Sequence, residues 1–245
     1  MKTFLKSVAM ACVLGGAASA ASAEDVRIMV FGDSNSWGWT PVPEIVPTTR
    51  YPEDVRWPGV MQNELGEGYV VVSEALSART AATTDESLGV EGAGLNGLEY
   101  LPAALASHMP LDLVVIMLGT NDTKAAFGLT PLDISLDVMD LVSEVRGNSG
   151  VATGYAPAKV LVVSPPPLGE IPEVEWLQAV FPESSIQTSK DLGGVLCPIA
   201  EAASTPCLDA ASVAAITGVD GVHMTAENHR LLGEAVAAKV LEVLE

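Results

Sequence analysis

The chain has 245 residues, 49% of them hydrophobic, which suits one domain with a substantial core and excludes disorder and coiled coil. Twelve Lys and Arg against 31 Asp and Glu give a net charge of −19. Nucleic acid is then a poor partner, because each phosphate contact needs a cation, and an anionic membrane surface is disfavoured for the same reason.

The N-terminus reads as a separate object. Lys2 and Lys6 precede an apolar run, Val8 to Ala18, and Ala18-Ser19-Ala20 and Ala21-Ser22-Ala23 offer two small-x-small cleavage sites. That order predicts a signal peptide over residues 1–23, a periplasmic or secreted protein, and a single domain over 24–245 with no membrane association after cleavage. Cleavage removes both lysines and Cys12, which deepens the charge to −21 and leaves Cys197 and Cys207. In an exported chain that pair is a disulfide candidate, with two buried free thiols as the other reading.

Asp25 to Phe31 reads as the first buried strand, followed by Tyr69–Val72, Leu113–Leu118, Val160–Val163 and a weaker Pro206–Leu208. Continuous β-branched runs without polar alternation suit a parallel sheet covered on both faces. Between them, Val60, Met61 and Leu65, the stretch from Leu132 to Val142, and Ala226 to Leu244 return at helical spacing. Strand then helix, repeated, predicts a three-layer α/β/α domain on a parallel five-stranded sheet.

In such a sheet, ligands bind beyond the carboxyl ends of the strands. The polar groups there are Gly32-Asp33-Ser34-Asn35-Ser36, Ser77-Ala78-Arg79-Thr80, Gly119-Thr120-Asn121-Asp122 and Ser164-Pro165-Pro166-Pro167, with Asp220-Gly221-Val222-His223 before the last helix. Ser34 stands at a strand-to-helix turn and needs a base to act as a nucleophile. Of three histidines, His229 falls inside the last helix pattern and His108 on the opposite sheet edge, which leaves His223. Asp220, three residues earlier, can hold the imidazole tautomer; a helix-capping pair is the plainer reading of those two residues. The Ser34 and Ala78 backbone N–H groups and the Asn121 amide can serve as oxyanion donors, against a simple Asx turn at Asn121-Asp122. Trp37 and Trp39 are candidates to wall a pocket beside Ser34. No metal spacing or nucleotide motif is apparent, so no cofactor is expected.

Gly32-Asp33-Ser34, Gly119-Thr120-Asn121-Asp122 and Asp220-x-x-His223 resemble the first, third and fifth blocks of the SGNH (GDSL) hydrolase superfamily. Ser36-Trp37-Gly38-Trp39, Asp54-Val55-Arg56-Trp57, Leu76-Ser77-Ala78-Arg79-Thr80 and Val163-Ser164-Pro165-Pro166-Pro167-Leu168 are similar to its arylesterase/perhydrolase-like acyltransferase branch, from about Val26 to the final helix. The superfamily's second block usually carries glycine where Ala78 stands, although alanine is familiar in this branch. Only the backbone N–H is used there, so alanine is tolerable if its φ is negative. The chain departs from the branch at Asn35, where an aliphatic residue is usual, and in its cysteine pair. The resemblance implies a flavodoxin-like fold, Trp176 and Phe181 closing the far side of the pocket, and hydrolysis of short acetyl or aryl esters through an acyl-enzyme. It also implies acyl transfer to alcohols or peroxide. Alternatives are a carbohydrate acetylesterase, a lysophospholipase or thioesterase, and, outside enzymes, a periplasmic binding protein. The expected partners are a small-molecule ester and a water or alcohol acceptor, with homo-oligomerisation left open.

Overall fold

Buried apolar runs do become the strands. The computed structural model describes residues 25–89, 94–148 and 154–245; the predicted signal peptide lies outside the described residues. Strands β1 (Val26–Gly32), β2 (Tyr69–Ala75), β3 (Leu113–Met117), β4 (Lys159–Ser164) and β5 (Cys207–Asp209) form one sheet in the order β2-β1-β3-β4-β5. Every pair is parallel. Boundaries move by a residue or so from the expected ones, except that β2 continues through Ser73-Glu74-Ala75.

Period-two geometry sends neighbouring strand residues to opposite faces. Ile28, Val30, Val115 and Val163 pack under α2 (Trp57–Leu65) and the last helix, Ala226–Leu244. Met29, Phe31, Ile116 and Val162 face the other layer, made by α3 (Gly97–His108), α4 (Pro131–Gly147) and a long helix, Glu183–Ala202. Numbered in chain order, α1 is Ser34–Trp37, α5 is Glu175–Val180, α6 is Glu183–Ala202 and α7 is Ala226–Leu244. The expected three-layer architecture is therefore present.

Local chemistry explains the helix starts. Thr130 and Asp133 form a reciprocal capping box at α4, with Pro131 in its first turn. The Asn96 side chain accepts from the Leu98 and Glu99 N–H groups at α3. Two helices escape a reading by periodicity, because Pro102 lies inside α3 and Gly193, Gly194 and Pro198 inside α6. Gly193 packs closely: a Cβ there would lie 2.6 Å from the Asp209 carboxylate at the end of β5, which would have to move aside. Cys197 on α6 is bonded to Cys207 on β5, with Cα atoms 5.3 Å apart, so the helix and the edge strand are covalently joined.

The strand order places the site. The chain leaves β1 for β2 on one side and returns to β3 on the other, which opens a crevice between the ends of β1 and β3. Gly32 pairs with both Ala75 and Met117, so all three strands end at one level. Among the described residues, no helix is long and apolar enough to cross a membrane.

Candidate active site

Directly after β1 the chain turns into α1, a four-residue helix whose N-cap is Asp33. The Asp33 carboxylate accepts from the Asn35 N–H at 2.9 Å, and Gly38, at φ +93°, ends the helix. Gly32 leaves the turn no room for a side chain: a Cβ there would collide with Ser36 Oγ. This tight turn lifts Ser34 to the sheet edge. Its N–H lies in the first turn of α1, where a helix leaves N–H groups without internal acceptors.

The loop before α7 supplies the second half. Asp220 Oδ1 accepts from the Val222 and His223 N–H groups, each at 2.9 Å, and its Oδ2 lies 2.8 Å from His223 Nδ1. With every other contact of that carboxylate a donor, Nδ1 carries the imidazole proton. The lone pair of Nε2 then faces Ser34 Oγ at 3.0 Å. Burial would raise the Asp220 pKa, but the hydrogen bond from His223, its charge and the two backbone N–H groups outweigh it and hold the carboxyl below its usual range. Trp39 stacks on the His223 ring, centroids 5.1 Å apart and planes 15° from parallel. The indole Nε1–H donates to Ile45 O at 3.2 Å, so the stack is anchored. An imidazolium formed here would sit over a tryptophan face within cation–π range.

Two other strand ends complete the arrangement. Asn121 follows β3 and donates one amide hydrogen to Arg79 O at 3.1 Å, which leaves its second for the crevice. Ala78 follows β2, and its φ is +67°, so the condition of a negative φ is not met. The turn needs a left-handed residue for the chain to reverse between Leu76 O and Arg79 N–H, bonded at 3.2 Å. That explains why glycine suits this block and puts alanine at a cost of about 1–2 kcal/mol. Arg79 holds the turn down. Its buried guanidinium donates to Gly32 O at 3.3 Å and lies 4.2 Å from the Phe31 ring centroid and 5.0 Å from that of Tyr100. Burial lowers its pKa to about 10.

A cavity of about 420 Å³ opens in front of Ser34 and His223. Trp39, Trp176 and Phe181 border it, together with Ile45, Leu88 and Val180. Trp37 does not: it lies outside the cavity, with the Arg50 guanidinium 4.7 Å above its ring and Arg50 Nε donating to its carbonyl at 2.7 Å. Residues close together at α1 leave the chain in different directions, and the sequence could not say which indole pointed inward. The polar rim was not foreseen either. Lys124 Nζ lies 2.9 Å from Asp85 Oδ2, both largely buried, beside Ser77 and Ser87. A larger hollow of about 680 Å³ shares Phe181 with it and is lined by neither Ser34 nor His223.

The remaining histidines stand apart. His108 closes α3 and contacts Glu74 at 2.6 Å. His229 is buried in α7, where burial pushes its pKa down to about 3, and its Nδ1 accepts from the Trp57 N–H at 3.4 Å. Sequence reasoning passed over one polar residue at the centre. Asn35, buried beside Ser34, is hydrogen-bonded to the backbone of Val222 and Met224. Its only signal was a polar residue in a position where an aliphatic one was expected.

This geometry is a hydrogen-bonded chain from a carboxylate through an imidazole to a hydroxyl, beside a largely apolar pocket. The model of the GDSL-like lipase/acylhydrolase family matches residues 30–231. The native aryl esterase of M. smegmatis is 48% identical, with a TM-score of 0.84, and the match covers 89% of this chain and 99% of that one. A carbohydrate acetylesterase from Sinorhizobium meliloti is 44% identical at a TM-score of 0.84, with the same coverage of 89% and 99%. A second carbohydrate acetylesterase family member from Sinorhizobium meliloti is 32% identical at 0.81, again covering 89% and 99%. Curated proteins gave no match. With a strand order, a sheet-edge site and a family match over most of its length in agreement, the chain belongs to the GDSL-like lipase/acylhydrolase family of the SGNH superfamily and is a carboxylic ester hydrolase.

Proposed function

We propose that the protein hydrolyses short-chain acetyl and aryl esters through an acyl-enzyme on Ser34. The observation that carries this reading is the unbroken chain Ser34 Oγ–His223–Asp220, at 3.0 and 2.8 Å, opening on a 420 Å³ cavity. His223 Nε2 takes the hydroxyl proton as Ser34 Oγ bonds to the ester carbonyl carbon. Asp220, held ionised, keeps the tautomer and balances the imidazolium. Negative charge then builds on the carbonyl oxygen, where the N–H groups of Ser34 and Ala78 and the free Asn121 amide hydrogen can receive it. The tetrahedral species collapses, the C–O bond to the leaving group breaks, and His223 returns the proton to the departing alkoxide. Water, giving a proton to the same imidazole, then bonds to the acyl carbon, the bond from that carbon to Ser34 Oγ breaks, and His223 returns the proton to Ser34 as the carboxylic acid leaves.

A small acyl group suits walls made by Trp39, Ile45, Val180 and Phe181. The same walls support acyl transfer, because an apolar alcohol is desolvated more readily than water in such a pocket. Chemical transfer is read by supplying p-nitrophenyl acetate with benzyl alcohol and quantifying benzyl acetate against free acetate. A second reading, a carbohydrate acetylesterase, is favoured by the rim of Ser77, Ser87 and the Asp85–Lys124 pair, which offers hydrogen bonds to a sugar. Acetylated sugars assayed beside the aryl esters separate the two. The proposed setting is the periplasm or the cell exterior, supported by the pattern of residues 1–23.

The central test is fluorophosphonate labelling with kinetics. Wild type should be labelled at Ser34, and Ser34→Ala and His223→Ala should each lose orders of magnitude in kcat with the fold retained. Asp220→Asn should lose less than either. Hydrolysis by Ser34→Ala at the wild-type rate would end the proposal.

A further inference from the structure

We infer that Asn35 is a positioning residue that fixes His223 against Ser34 by clasping the backbone on both sides of the histidine. The inference rests on the proposed roles of Ser34 and His223. Asn35 follows Ser34 directly, and its side chain is 1% exposed. Its Nδ2 donates to Val222 O at 3.1 Å, and its Oδ1 accepts from the Met224 N–H at 3.0 Å. The partners are the residues immediately before and after His223, 187 and 189 positions away in sequence. Because one partner can only accept and the other only donate, the amide has a single satisfied orientation.

The clasp supplies what the rest of the loop lacks. Asp220 holds the His223 ring and N–H from within the same loop, so those bonds move with the loop if it shifts. Trp39 restrains the ring plane from one side. Asn35 is covalently next to the nucleophile and hydrogen-bonded to the main chain on either side of the base. The distance between Ser34 Oγ and His223 Nε2 is thus referred to α1 itself. An aliphatic side chain of similar size could fill the space but would leave the Val222 carbonyl and the Met224 N–H buried without partners and free the loop to drift. Displacement of a catalytic base by about 1 Å costs up to roughly a hundredfold in rate.

The test compares Asn35→Leu and Asn35→Asp with wild type, using p-nitrophenyl acetate and counting active sites by fluorophosphonate labelling. Asn35→Leu should lower kcat per labelled site by about ten- to a hundredfold with KM within about twofold. A purely structural role would reduce the number of active sites, not the rate at each. Asn35→Asp gives the sharper readout. A protonated carboxyl has the same donor and acceptor pattern as the amide, whereas the ionised form repels the Val222 carbonyl. Asp33 on the same turn, pushed up to about 6 by burial, and Asp220 and His223 on the clasped loop are the titratable groups around the position, with Arg79 interacting with Asp33 and His229 with His223; burial and the two acids favour protonation at position 35. The ratio of Asn35→Asp to wild-type kcat should therefore rise as pH falls from 8 to 5, while the Asn35→Leu ratio stays flat. Unchanged kcat per site in Asn35→Leu, or a flat Asn35→Asp ratio, would overturn the inference. Failure of wild type to be labelled at Ser34 would instead overturn the proposed mechanism on which it rests.

Discussion

Replacing Asp122 by asparagine tests how much stability is spent on a buried acid beside the site. Asp122 follows Asn121 at the end of β3 and is fully buried. Its Oδ1 accepts from the Ala81 N–H at 2.9 Å, whereas its Oδ2 has no partner among the described residues. Burial pushes its pKa from 3.8 up to about 7, with the Asp137 and Asp33 charges adding to the rise. The unfolded chain releases this proton near pH 4 and the folded chain only near pH 7. Stability is therefore full below pH 4 and is lost as pH rises through that window. A difference of roughly three units corresponds to up to about 4 kcal/mol at pH 8. An asparagine side chain in its place would keep the bond from Ala81 without the charge. Asp122→Asn should therefore be more stable at pH 8, by a Tm shift on the order of 10 °C, and nearly equal to wild type at pH 4. Urea denaturation of both proteins at intervals from pH 4 to 8 reads this directly, since titrating groups not coupled to Asp122 cancel in the difference. A constant difference across that range, or a variant less stable at pH 8, would refute the reasoning.

Three further outcomes follow from the same geometry. Asn121→Ala removes one oxyanion donor and should lower kcat by about a hundredfold or more; a change confined to KM would place Asn121 in ground-state binding only. Phe181 lines both the 420 Å³ cavity and the 680 Å³ hollow, so Phe181→Ala, or Phe181→Leu if the first folds poorly, should shift preference from acetyl toward hexanoyl and octanoyl p-nitrophenyl esters. An unaltered ranking in both variants would show that Phe181 is not the limiting wall. Reduction of Cys197–Cys207, or its replacement by two serines, should cost up to about 3 kcal/mol for a loop of this length, and an unchanged urea midpoint would contradict it.

Much of this was legible in the sequence because the signals are local. Val26–Gly32 and Leu113–Met117 are apolar runs whose central residues are buried on both faces, a pattern only a covered parallel strand needs. Polar residues that interrupt such runs must lie at strand ends, which is why Ser34 and Asn121 could be placed on one edge before any coordinates. Asp220 and His223 are three positions apart, so their contact is set by a single turn of chain.

Contacts between distant segments followed a different logic. The inward tryptophan is Trp39, not Trp37, because the Ile45 carbonyl captures one indole and Arg50 covers the other. The left-handed Ala78 answers to a turn pinned by Arg79 and Gly32, residues 47 positions apart. The Asn35 clasp and the Asp85–Lys124 rim likewise join segments that no periodicity relates. Composition, alternation and turn chemistry determine which elements form and which of their ends are polar, since those depend on neighbours along the chain. The packing of loops against one another selects among side-chain directions of nearly equal local energy, and only the assembled sheet edge decided which of them became walls, donors and supports of the site.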